Sequence, residues 1–205
     1  MVKEPIIIGV LGPIGVGKST LSRILAEKLN TDCVEENFPQ NPFLENFYKD
    51  PIKYSFLSQA YFLESTVSQL AGLNCDQSHL LDPANEMNFL YAQTHNDMGW
   101  MDFREFGLYE TLYQTLTKRA GIKKPDLFLC INAKHPVLVE RIKRRGRPYE
   151  LLMLANYPRY LSNLSQRVES FTGANLLRID ASSDNFIDEI HVDGLLRKIG
   201  RNLDL

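Results

Sequence analysis

The chain has 205 residues, with 23 Lys and Arg against 25 Asp and Glu, for a formal net charge of −2 at pH 7. At 44% hydrophobic and 23% charged residues it has the make-up of an ordinary globular domain, which excludes a disordered, collagen-like or disulfide-stapled chain. The near-neutral balance excludes the basic footprint of a general nucleic-acid binder, and three widely spaced cysteines (Cys33, Cys75, Cys130) offer no zinc spacing and fit a reducing compartment.

Ile6 to Leu11 is a continuous apolar run, far short of the roughly 20 residues that span a bilayer. It has the pattern of a strand buried on both faces of a parallel sheet. A glycine-rich turn follows, and Leu21, Ile24, Leu25 and Leu29 then recur at helical spacing until Asn30-Thr31. A second strand is expected around Asp32 to Glu36, before a Pro/Asn-rich break at 37–42. Residues 43 to 73 read as two helices parted at Asp50-Pro51. His79 to Asp82 reads as a short strand ending in a carboxylate, Met87 to Gln93 as helix, and Arg104 to Arg119 as a further helix. Asp126 to Ile131 is a second buried-strand run with a helix over Val137 to Arg144 behind it. Tyr149 to Ser170 reads as helical, Asn175 to Asp180 as the last strand, and Phe186 to Ile199 as the last helix. The alternation predicts one α/β domain over residues 1–205, a parallel sheet flanked by helices, in the cytoplasm and with no membrane partner.

Gly12-Pro13-Ile14-Gly15-Val16-Gly17-Lys18-Ser19, followed by Thr20, fits the phosphate-loop pattern G-x-x-x-x-G-K-[ST] between a predicted strand and a predicted helix. Glycines let backbone N–H groups face phosphate, Lys18 supplies a cation to the β- and γ-oxygens, and the Ser19 hydroxyl can ligate Mg²⁺. ATP or GTP binding follows. The loop alone leaves a kinase, an ATPase, a GTPase and a non-catalytic nucleotide-binding module open. Glu35-Glu36 ends the second predicted strand, where such a sheet opens its ligand crevice, so Glu36 is the candidate base. Five of the seven residues from Arg141 to Arg147 are basic, and guanidinium groups suit phosphate oxygens. The four histidines form no metal-ligand spacing.

Glu36-Asn37-Phe38-Pro39-Gln40-Asn41-Pro42-Phe43-Leu44, then Phe47-Tyr48-Lys49-Asp50-Pro51 and Gln59-Ala60-Tyr61-Phe62-Leu63, resemble the deoxynucleoside kinase family. So do Gly99 to Asp102 with Tyr109, and Glu140-Arg141-Ile142-Lys143-Arg144-Arg145-Gly146-Arg147 with Glu150, which is similar to that family's lid. The resemblance implies a three-layer P-loop kinase fold with the lid at about 141–150, and ATP and Mg²⁺ at the site. The acceptor it implies is a nucleoside, preferably a purine deoxynucleoside. By the same resemblance Glu36 takes the proton of the 5′-hydroxyl, Tyr48 bonds the 3′-hydroxyl, Gln59 hydrogen-bonds the base edge and Glu150 contacts the substrate, with Glu86 the nearest acidic candidate on the acceptor side. Residues 12–20 and Arg141 hold ATP, Ser19 and Asp82 hold Mg²⁺, and Arg145 and Arg147 clamp the phosphates. The family is commonly dimeric, which implies a homodimer.

Two positions depart from the family pattern. Asp82-Pro83-Ala84 stands where Asp/Glu-Arg-Ser is usual, and Thr66 stands where an Arg follows the Gln by seven residues. A deoxynucleoside kinase, a kinase for another hydroxyl compound and a nucleotide-binding relative with little catalysis all remain open.

Overall fold

The computed structural model describes residues 4–36, 40–183 and 187–203. The first apolar run forms β1 (Ile7–Leu11), and the helix after the glycine turn is α1 (Lys18–Leu29), closed by Asn30 in the left-handed conformation (φ 51°). There follow β2 (Asp32–Glu35), α2 (Leu44–Lys49), α3 (Pro51–Ala71), β3 (His79–Asp82), α4 (Glu86–Asp97) and α5 (Phe103–Arg119). The remainder is β4 (Leu127–Asn132), α6 (His135–Arg145), α7 (Pro148–Asn156), α8 (Pro158–Ser170), β5 (Leu176–Asp180) and α9 (Glu189–Asn202).

The strands form one parallel sheet in the order β2-β3-β1-β4-β5, with Gly9 level with Leu81 on one side and Phe128 on the other. Alternate residues of the central strands enter opposite layers, as a period of two requires. Val10, Leu129 and Ile131 pack with α1, α6 and α9 through Leu25, Ile142 and Ile199. Leu11, Phe128 and Cys130 pack with α4 and α8 through Met87, Leu90, Leu164 and Val168. Helices therefore cover both faces of the five-stranded sheet, which is the expected architecture.

Several boundaries have local causes. Asp50 caps α3 by accepting from the Lys53 N–H (3.2 Å), with Pro51 in the first turn, and this stop-and-restart separates α2 from α3 as predicted. A capping box starts α5: Asp102 accepts from the N–H groups of Arg104 (2.7 Å) and Glu105 (2.9 Å), while Glu105 accepts from the Asp102 N–H (3.0 Å). The predicted helical stretch from Tyr149 to Ser170 is two helices. Pro158 pushes Tyr157 out of the helical region (φ −133°, ψ 61°), so α7 ends there and α8 begins. The last helix starts at Glu189 with Asp188 as its cap, later than the predicted Phe186, which lies outside the described residues.

Because β1 and β3 are neighbours, the loop after β1 and the carboxylate that ends β3 leave the sheet side by side. The Glu36 N–H donates to the Asp82 carbonyl (2.9 Å), which continues the β2–β3 ladder by one bond and brings the residue after β2 to the same edge.

Candidate active site

Sharp turns in the loop after β1 need glycine. Gly15 and Gly17 have φ of 82° and 100°, and a Cβ on Gly12 would lie 2.8 Å from the Ile131 carbonyl oxygen. Lys18 starts α1 and folds back over the loop, donating to the carbonyls of Gly12 (2.9 Å) and Pro13 (3.2 Å). Burial holds its ammonium below the usual lysine value, Asp82 and Glu36 oppose this, and Arg145 adds to it. Arg141, on α6, donates to the Val16 carbonyl (3.2 Å) and to the Ser183 carbonyl (3.1 Å), tying the loop to the segment after β5.

Two cavities meet at this loop. One, of about 450 Å³, is lined by Ile14, Lys18 and Ser19 and, across from them, by Glu36, Asp82 and Arg145. The other, of about 490 Å³, lies between Gly15, Gly17, Thr20, Arg141, Arg144 and Ile187. Gly15 and Thr20 border both.

The first cavity holds both acidic and basic side chains. Burial pushes the Glu36 carboxyl up to about 7; the Lys18 charge draws it down and Asp82 adds to the rise. Glu35, its neighbour, also borders the cavity but is held in a bidentate pair with Arg23 (2.6 and 2.6 Å), which keeps it below the usual carboxylate range. Of the two glutamates, Glu36 is the one whose carboxylate is outside the Arg23 pair and under the influence of Lys18 and Asp82. Asp82 is 3% exposed, and neither of its carboxylate oxygens has a hydrogen-bond partner among the described residues. Burial raises its carboxyl, while Lys18 and the nearby Ser19 hydroxyl work against the rise. A buried carboxylate with both oxygens open beside a hydroxyl is a donor set that fits Mg²⁺, a hard cation that takes one or two carboxylates and completes its shell with phosphate and water.

The segment from 141 to 150 is the end of α6, a left-handed Gly146 (φ 70°) and the first turn of α7. Glu150, with a side chain 2% exposed, accepts from Arg145 at 2.9 and 2.6 Å and from Arg147 at 3.4 Å. Both guanidinium groups are thus gathered at the cavity by one buried carboxylate.

Away from the phosphate loop the cavity is walled by α2, α3 and α4. Tyr48 stacks on Tyr149 (centroids 5.2 Å, 22°) and burial raises its phenol well above the ordinary value. Gln59 is 4% exposed, and its Oε1 has no hydrogen-bond partner among the described residues. Glu36, Tyr48, Gln59, Asp82, Arg145, Arg147 and Glu150 all line this one cavity, so the acceptor-side candidates converge with the phosphate loop. Gly12, Pro13 and Val16 are buried and shape the loop from behind.

Glu86, expected among the substrate-binding residues, does not line the cavity. It opens α4, where burial raises its carboxyl and Lys124 opposes the rise. Residues two apart on a helix point about 200° apart, so Glu86 and Asn88 cannot share a face. Asn88 and, one turn on, Tyr91 take the cavity instead. Charge type favoured Glu86; helical phase from the start of α4 would have found Asn88. Arg23 was also missed, although it lies four residues after Ser19 on α1 and so on the same face. Of the two departures from the family pattern, Pro83 lines the cavity and Thr66 does not.

A glycine-cradled lysine, an open buried carboxylate, paired arginines and a carboxylate of raised pKa at one end of a parallel sheet define a P-loop phosphotransferase. The chain belongs to the deoxynucleoside kinase family, whose model, described as Deoxynucleoside kinase, matches residues 8–201. It is 32% identical over 206 residues to the deoxyguanosine kinase of Lactobacillus acidophilus, with 94% of this chain and 90% of that one covered. To the deoxyadenosine kinase of the same organism it is 29% identical over 210 residues, covering 95% and 98%. A solved deoxyadenosine kinase from M. mycoides with dCTP bound shares the fold, with a TM-score of 0.81 at 24% identity over 95% of this chain and 99% of that one.

Proposed function

We propose that the protein transfers the γ-phosphoryl group of ATP to the 5′-hydroxyl of a purine 2′-deoxynucleoside. The observation that carries this reading is Glu36: a carboxylate with a pKa of about 7 that shares one cavity with Lys18 and Asp82. A base tuned near neutral pH combines availability with basicity at physiological pH.

In this reading the Gly12–Thr20 loop and Lys18 hold the β- and γ-phosphates, and the cavity beside Arg141 and Arg144 takes the rest of the nucleotide. Ser19 and Asp82 would hold Mg²⁺, which when bound screens the phosphate charge. Glu36 accepts the proton as the 5′-oxygen bonds to the γ-phosphorus and the bond to the β-phosphate oxygen breaks. Arg145 and Arg147 neutralise the charge spread over the transferring group. Tyr48 and Glu150 face the sugar and Gln59 the base. The purine preference is supported by the names of the relatives, deoxyguanosine kinase and deoxyadenosine kinase.

The assembly in this proposal is a homodimer, supported by Leu57 on α3 (41% exposed) and Leu108 on α5 (52% exposed), on helices that pack together. The compartment is the cytoplasm, supported by three cysteines that are all free. Among the described residues no helix is long and apolar enough to cross a membrane.

The test is ATP-dependent phosphorylation of the four deoxynucleosides and their ribose counterparts, with Glu36→Gln beside the wild type. A purine deoxynucleoside should react, and the variant should be slower by about 10²–10⁴-fold. If no nucleoside reacts while ATP still raises the melting temperature, the acceptor is something else and the reading is wrong.

A further inference from the structure

Two carboxylates stand side by side where β2 and β3 end, and Arg23 holds one of them. Glu35 and Asp82 are register partners in the parallel sheet, so their Cα atoms lie about 4.8 Å apart and their side chains leave the same face. That face is covered by α1, which places Ser19 and, one turn on, Arg23 beside them. Ser19, Arg23, Glu35 and Asp82 all line the cavity at the phosphate loop. Asp82 is 3% exposed and neither of its oxygens has a hydrogen-bond partner among the described residues, whereas both oxygens of Glu35 accept from Arg23, through Nε and Nη2. The ion pair and Asp82 act on one another. Burial is the largest influence on the raised Asp82 carboxyl, Lys18 and Ser19 oppose it, and behind these Glu35 adds to the rise while Arg23 works against it.

The number of carboxylates at such a place decides what it binds. Affinity for a divalent cation grows with the charge and number of protein oxygens, and Mg²⁺ held by few of them completes its shell with water and substrate phosphate. Asp82 and Ser19 supply one charged group and one neutral oxygen, so a cation there depends on the oxygens of a triphosphate. With Glu35 released, two adjacent carboxylates and a hydroxyl would make a cation site that needs no nucleotide. The Arg23–Glu35 pair, with side chains 65% and 37% exposed, adds little to stability. What it does is occupy both acceptor oxygens of Glu35 at once, which a guanidinium fork achieves and an ammonium does not.

We propose that Arg23 is a positioning residue that keeps Glu35 off the metal site, so that Asp82 and Ser19 take up a divalent cation only together with the nucleotide. The inference rests on the assignment of Ser19 and Asp82 to Mg²⁺ in the kinase reading above and deepens it. Without Arg23 the site would fill with free cation, and an incoming triphosphate would meet a second carboxylate charge.

The test is binding of Mn²⁺, which takes the same oxygen ligands, in the absence of nucleotide, read from loss of the free-ion electron paramagnetic resonance signal, with melting curves as a check on folding. The wild type should bind with a Kd above about 1 mM, and Arg23→Met and Arg23→Gln at least about tenfold more tightly. Arg23→Met/Glu35→Gln should return to the wild-type value, and Glu35→Gln alone should match the wild type. Micromolar binding by the wild type, single Arg23 variants no tighter than the wild type, tight binding that persists in the double variant, or weaker binding by Glu35→Gln alone each overturns the inference, and the wild-type and Glu35→Gln measurements decide it even if the Arg23 variants do not fold. With ATP present, MnCl₂ should raise the wild-type melting temperature further, and Asp82→Asn should lose that increment. If Asp82→Asn keeps it, the metal assignment falls and this inference with it; if Asp82→Asn loses it while the Arg23 variants bind no more tightly, this inference alone falls.

Discussion

Replacing Glu36 by Gln separates the chemistry of this carboxylate from its cost to the fold. The group has a pKa of about 7 in the folded protein against an ordinary 4.5, because ionising it means keeping a charge out of water. At about 1.36 kcal/mol for each pH unit of difference, the ionised form costs the folded state about 3 kcal/mol. The sign follows from linkage. A carboxyl raised on folding binds its proton more tightly in the native state, so its contribution is most favourable below pH 4.5 and is lost as pH rises through about 7. Gln carries the shape without the charge. At pH 8 Glu36→Gln should therefore melt about 6–12 °C higher than the wild type, using about 2–4 °C per kcal/mol for a chain of this size. At pH 5 the gap should shrink below about 1 kcal/mol. Thermal melts followed by circular dichroism over pH 5–8, without nucleotide, read this directly, and kcat/KM of the wild type should rise with pH to half its plateau near 7. A pH-independent gap, or a less stable variant at pH 8, would refute the argument that a desolvated Glu36 is the base.

His95 is fully buried between Ser55 (Nδ1, 2.6 Å) and Tyr160 (Nε2, 3.0 Å), and burial drives its pKa down to about 3. Depressed on folding, it contributes stability present above pH 6.5 that is lost as pH falls toward 3, so wild-type urea midpoints should drop between pH 6.5 and 4 and those of His95→Gln should drop less; parallel curves would contradict this. For the assembly, Leu108→Glu should convert a species of twice 23.5 kDa into one of 23.5 kDa in light scattering, and a wild-type monomer would remove the dimer from the proposal.

The sheet was readable because strands buried on both faces leave unbroken apolar runs, and the phosphate loop because each residue in it answers to a steric or electrostatic demand. Glu36 was singled out by its place at the end of a strand, and Tyr48 and Gln59 through family resemblance; the structure brings all three to one cavity. What escaped depended on phase and on long-range pairing. Glu86 was singled out by its charge, but Asn88, two residues on and on a different face of α4, lines the cavity. The Arg23–Glu35 pair joins α1 to β2 across 12 residues and has no local signature. The break at Tyr157 was visible as a proline, yet a proline in a long apolar pattern reads equally as the first turn of a helix, which is what it became for α8.

Two glutamates of identical chemistry sit side by side at the end of β2, and nothing intrinsic to either decides which becomes the base. The assignment is made by the bond from the Glu36 N–H to the Asp82 carbonyl. Strand residues alternate sides, so a slip of one position along β3 would exchange the surroundings of Glu35 and Glu36. In the proposed reaction, catalytic identity is positional information stored in main-chain pairing. Insertions or deletions between α1 and β2 therefore threaten activity through misregistration, even where every side chain named above is retained.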